Sequence, residues 1–87
     1  MKIYKKCWPE YFSKIVDGSK KYDLRLADFK CKVGDILVFR EWDPKTKNYT
    51  GREVEKEITH MSIFKIKDLV WSKEEIEKYG LQLFSLK

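Results

Sequence analysis

Three side chains at short, fixed gaps, Lys20, Asp23 and Arg25, are the residues best suited to hold a charged or hydrogen-bonding ligand. Arginine offers a planar fork that fits phosphate or a base edge, lysine a mobile point charge, and aspartate an acceptor for ring or exocyclic N–H groups. Lys21 adds a cation beside them, and Trp42, Tyr49 and Arg52 flank a second polar stretch, where aromatic rings can stack on an unpaired base. Cross-strand packing of Trp42 on Tyr49 accounts equally well for those two rings. The plain alternative for Lys20 and Arg25 is a surface ion pair with Asp23, worth at most about 1 kcal/mol.

Other chemistries find little support. His60 is the single histidine, and although Ser62 lies two residues away, neither sits at a nucleophile turn, so His60 reads as a structural strand residue. Glycine-rich phosphate loops, EF-hand spacing and paired-histidine motifs are absent, so no cofactor and no metal is expected. Glu53, Glu55 and Glu57 alternate along one strand face, which spaces their carboxylates about 7 Å apart without convergence and makes a solvated row. Cys7 and Cys31 have neither redox nor zinc spacing and read as reduced, partly buried thiols. A Cys7 to Cys31 bridge is the lesser alternative, because richness in Lys and Glu with one Gln and one Asn resembles proteins from hot environments.

The net charge of +5 is unevenly placed. Residues 1–32 hold nine Lys or Arg against four acids, a surplus of five, while the rest of the chain balances at ten of each sign. Such a bias attracts an anion such as a phosphate backbone, although lysines that only maintain solubility would produce the same count. With 87 residues, 43% of them hydrophobic and 38% charged, the chain has room for one small core and one domain, residues 1–87. No apolar run reaches the roughly 20 residues of a membrane span, so a cytoplasmic protein without membrane contact, acting as a monomer, is expected.

The elements that must position these residues follow from periodicity. Trp8, Tyr11, Phe12, Ile15 and Val16 form the stripe of an amphipathic helix over 9–17, with Pro9 in the first turn and Gly18 at the C-terminal cap. Ile3 to Lys6 is a short strand. Lys20 to Leu26 alternates, which predicts a half-buried strand with Tyr22, Leu24 and Leu26 inward and Lys21, Asp23 and Arg25 outward. After the Val33, Gly34, Asp35 turn, Ile36 to Phe39 is an unbroken apolar run that belongs at the sheet centre. The polar cluster Asp43 to Asn48 folds the strand ending near Trp42 back into one running from Tyr49 to Met61. Ser72 and Glu75 fit a capping box, with Trp71 and Ile76 as its hydrophobic staple, opening a helix over 73–79. Leu81 to Leu86 would close the chain as a strand, returning Phe84 and Leu86 to the sheet. Trp8 and Trp71 read as core or staple rather than as stacking platforms.

Gly18, Lys20, Asp23 and Arg25 reproduce a helix ending in G-x-K, an acidic or hydroxyl residue three positions on, and an arginine two beyond. In this the chain resembles the ASCH domains of the PUA-like superfamily. The likeness continues through Val33-Gly34-Asp35, Glu41-Trp42-Asp43 and Tyr49-Thr50-Gly51-Arg52, where the chain is similar to a small prokaryotic branch. The resemblance implies an α+β fold, a PUA-like β-barrel with two short flanking helices. It also implies RNA or a nucleotide as partner, held in a basic cleft beside the motif. One enzymatic branch removes an acetyl group from acetylated cytidine with a Lys, a Thr and a Glu. Lys20 occupies the first position and would be the catalytic residue, Asp23 stands at the second, and Glu74 or Glu75 is conceivable for the third. An aspartate beside Lys20 favours the ammonium over the neutral amine that catalysis needs. A binding module is therefore the expectation, with an amidohydrolase of acylated nucleosides or a protein-interaction adaptor as alternatives.

Overall fold

In the computed structural model, which describes residues 1–87, Pro9 sets where the first helix begins. Trp8 is held extended by its Pro neighbour, and its carbonyl accepts the N–H groups of Tyr11 and Phe12 that open α1 (Pro9–Val16). The helix buries Phe12 and Ile15. Trp8, Tyr11 and Val16, expected on the same buried stripe, stay about half exposed, because the narrow sheet beneath covers only the middle of it. Gly18, at φ +82°, ends the helix in the left-handed region, which lets the Lys20 N–H return to the Lys14 carbonyl at 3.0 Å. Lys20 is therefore fixed at the mouth of the helix end.

The sheet contains β1 (Lys2–Cys7), β2 (Ile36–Asp43) and β3 (Asn48–Glu57), in that spatial order. β1 runs parallel to β2, as a helical crossover permits, and β3 returns antiparallel through a tight hairpin. β2 is central, as its apolar start requires. Register places Ile3 beside Leu37, Lys5 beside Phe39 and Cys7 beside Glu41, on the face that α1 covers. Cys7, Phe12, Ile15 and Phe39 form the core there, with Leu37 and Val54 packed against it. At the hairpin turn, Asp43 accepts from Lys47 N through its carbonyl and from Lys45 N through its carboxylate, while Lys47 takes φ +58°.

A second polar anchor ties the start of the chain to the sheet. Asp35, only 2% exposed, accepts from the Met1 amine at 3.2 Å through Oδ1 and from Lys32 N at 3.0 Å through Oδ2. Its backbone carbonyl takes the Ile58 N–H, and Gly34 N donates to the Ile58 carbonyl. The N–H of Lys32, and then the amine, hold the Asp35 carboxyl below the usual carboxylate range against the opposing cost of burial.

Several expected strands are absent. Residues 20–26 form no strand: Leu24 and Leu26 are 72% and 80% exposed, whereas Asp23 and Arg25 turn inward. The alternation is real but inverted, because Arg25 bonds Asp23 and reaches the Lys6 carbonyl of β1, and those charge-assisted bonds decide which side faces the sheet. Tyr22, expected in the core, is exposed with the leucines. The strand expected over 81–86 is also missing, leaving Phe84 and Leu86 at 69% and 81% exposure; Ser85 Oγ instead accepts the Lys21 N–H. β3 stops at Glu57, so His60 is not a strand residue but lies exposed, 3.3 Å from Ser62. Both cysteines are free thiols, Cys7 buried and Cys31 partly so.

The C-terminal helix forms as its capping box dictates: α2 (Lys73–Tyr79) is opened by reciprocal Ser72 and Glu75 bonds and closed by Gly80. Trp71, expected as a staple, is exposed. The result is a small α+β fold, an open three-stranded sheet with two helices and one 3-10 turn at Ile66–Asp68. Its radius of gyration, 14.9 Å, exceeds the roughly 12 Å of a tightly packed chain of this length, and no residue beyond Ile58 is buried. No helix is long and apolar enough to cross a membrane.

Candidate nucleic-acid interface

The site is built around an irregularity in the hairpin. Arg40 pairs with Glu53 but Trp42 pairs with Tyr49, so Thr50, Gly51 and Arg52 all stand opposite the single residue Glu41. Gly51, at φ +94°, supplies the backbone turn that this bulge needs and that a side chain would oppose. The bulge aims two side chains at one carboxylate: Thr50 Oγ1 donates to Glu41 Oε1 at 2.7 Å, and Arg52 Nη1 lies 3.6 Å from the same oxygen. Arg52 N donates to Thr50 Oγ1 at 3.3 Å, and the guanidinium sits 5.0 Å above the Phe12 ring. Glu41 is 4% exposed, a burial that a carboxylate tolerates only with partners.

This hairpin cluster meets the Lys20 segment at Cys7, the β1 neighbour of Glu41. Burial pushes the Cys7 thiol up, with Asp23 and Glu41 adding to the shift and the Lys20 and Arg25 charges opposing it. Four charges from two distant segments, Lys20, Asp23, Arg25 and Glu41, thus act on the surroundings of this buried thiol. Arg25 is held by Asp23 and by the Lys6 carbonyl at 3.0 Å, with its guanidinium 5.8 Å from the Phe39 ring. Arg25 thus does pair with Asp23. Lys20 takes a different partner: its Nζ rests 4.9 Å from the Tyr11 ring and 5.2 Å from Tyr22, leaving its three donors for a ligand.

Next to Arg25 an open depression of about 340 Å³ is lined by Lys5, Arg25, Leu26, Asp28 and Phe29, with Lys5 Nζ 3.4 Å over the Phe29 ring. Lys21 lines a separate hollow with Gly18, Ser19 and Ser85. Trp42 and Tyr49 are cross-strand partners on the opposite sheet face, where Lys6 covers Trp42 at 4.1 Å and Arg40 covers Tyr49 at 4.5 Å. Of the residues singled out from sequence, Lys20, Asp23 and Arg25 gather near Cys7 and Arg52 binds the adjoining Glu41, while Lys21, Trp42 and Tyr49 lie elsewhere. Glu74 and Glu75 lie on α2, and Glu75 is committed to the cap, whose Ser72 N–H holds its carboxyl below the usual range.

Glu41 and Thr50 entered the sequence analysis only as part of the family likeness, not as site residues, and Lys5 and Phe29 were not singled out for the site. Two signals point to the first pair: Glu41 is two positions from Phe39 and so shares its inward face, and Gly51 interrupts a strand pattern as a bulge glycine does. Lys5 and Phe29 had no comparable signal.

A family model described as "Domain of unknown function (DUF3850)" matches residues 4–71, the stretch that contains the last four residues of β1, α1, the whole hairpin and every residue of this site. No curated protein and no solved structure matches the chain.

Proposed function

The chain belongs to the DUF3850 family, and we propose that it is an RNA- or nucleotide-binding module whose ligand lies across the Lys20, Arg25 and Arg52 surface. The observation that carries this reading is that Lys20 and Arg25 act on Cys7 from one side while Arg52 sits on its buried neighbour Glu41, with Lys20 and Arg52 each braced on an aromatic ring. Cations held on rings keep outward donors for phosphate, and the exposed tyrosines offer π-faces to unpaired bases. The resemblance to ASCH domains belongs to the same proposal. So does a PUA-like barrel, for which residues 20–26, already bonded to β1 through Arg25, would supply a further strand.

A titration of the protein with single-stranded RNA at increasing salt tests the reading. Affinity falls linearly on logarithmic axes, and Lys20→Ala reduces the slope by about one counterion. Affinity that ignores both salt and Lys20 sinks it.

The amidohydrolase alternative has one observation in its favour, the Thr50 hydroxyl held by buried Glu41. Release of acetate from N4-acetylcytidine, lost in Thr50→Val, would carry it; absence of product would dispose of it.

A further inference from the structure

We propose that the Glu41 and Arg52 pair reads the Watson–Crick edge of a guanine; this inference rests on the RNA-binding reading above and names the base. Glu41 is buried, yet only one of its oxygens is used: Oε1 takes the Thr50 hydroxyl at 2.7 Å and faces Arg52 Nη1 at 3.6 Å, while Oε2 accepts nothing from the protein. No polar side-chain atom in the chain is both fully buried and unpartnered, so Oε2 opens to solvent through a narrow window. An oxygen of a largely buried carboxylate that reaches solvent and has no protein partner is an acceptor open to an incoming N–H.

The set of groups selects among bases. The pair offers two carboxylate acceptors, Oε1 and Oε2, beside one guanidinium donor, Arg52 Nη1 at 3.6 Å from Oε1. Oε1 has a second lone pair beyond the one that Thr50 uses. Guanine presents the complement: the N2 amine, the N1 imino hydrogen and the O6 carbonyl. Adenine places a ring acceptor beside its single amine, and uracil flanks its N3–H with two carbonyl oxygens that a carboxylate repels. Hypoxanthine keeps N1–H and O6 but lacks the amine. The bulge is what sets acceptor and donor side by side, since a regular ladder would not place Thr50 and Arg52 against the same residue. Phe12, with its ring 5.0 Å from the guanidinium, restrains Arg52 beside Glu41.

Short uridine oligomers carrying one central guanosine, inosine or adenosine, titrated into the full chain by fluorescence anisotropy, test the assignment. The guanosine oligomer binds about tenfold more tightly than the adenosine one, with inosine between them. Glu41→Gln keeps the Thr50 bond through its amide oxygen but turns an amine toward the base. It abolishes the guanosine preference while affinity for the adenosine oligomer holds. Arg52→Ala, at an exposed position that folding tolerates, weakens guanosine and inosine together relative to adenosine. Equal affinity for the three oligomers in the unaltered protein, or a guanosine preference that survives Glu41→Gln, overturns the inference and leaves the RNA-binding reading intact. Failure of all three to bind removes the reading beneath it.

Discussion

β2 has a buried carboxylate at each end, and the two are treated differently. Asp35, just before the strand, spends both oxygens inside the protein, one on the Met1 amine and one on the Lys32 N–H. Glu41, near the far end, spends one on Thr50 and keeps the other free. Burial alone is therefore no mark of function. A buried charge whose bonding capacity is filled fastens chain segments together, and one with capacity to spare is set to bind something else.

The sharpest way to break this comparison is to neutralise each acid in turn. Asp35→Asn leaves the Met1 amine without its counter-charge, and it lowers the thermal midpoint by more than any other substitution named here. Glu41→Gln, which retains the Thr50 bond, changes the midpoint little, and differential scanning calorimetry of both variants checks the contrast. Equal losses would mean that Glu41 is as structural as Asp35.

Acid titration separates the ends again. Because the folded Asp35 carboxyl lies below its ordinary value near 3.9, the unfolded chain binds the proton first as pH falls. Its stabilising contribution is complete above about pH 5 and disappears as pH drops through the depressed folded value. Urea midpoints followed from neutral pH to pH 2 therefore decline less steeply in Asp35→Asn than in the parent protein.

Smaller effects fall outside the carboxylate ends. Ser72→Ala removes half of the capping box and costs α2 about 1 kcal/mol. As α2 buries no residue, the loss appears as faster amide exchange over Lys73–Tyr79 rather than as a shift of the global midpoint. Lys47→Gly relieves a left-handed lysine at the hairpin turn and raises the unfolding free energy slightly, by about 0.5 kcal/mol after the entropic cost of glycine.

Much of the scaffold was legible because its signals are local. Pro9 and Gly18 bound α1, Ser72 and Glu75 open α2, and the apolar run at Ile36 marks the central strand. What failed depends on long-range pairing. Lys20 to Leu26 has a strand's alternation, but no periodicity reveals that Arg25 will reach the Lys6 carbonyl and invert the two faces. The Leu81 to Leu86 segment has the composition of a strand without a neighbour to pair with. For the site, charge and spacing identified Lys20, Asp23 and Arg25, and Arg52 was recognised as a cation. Its partner Glu41 was not, because a bulge that sets three residues against one is a property of two strands together.

The most direct test is an NMR titration of the isotopically labelled protein with single-stranded RNA, read at each backbone amide. The account predicts shifts gathered at Lys20 to Arg25, Glu41 and Thr50 to Arg52, with Lys32 and Asp35 unmoved. Shifts centred on the Asp35 end, or none at saturating RNA, would contradict it.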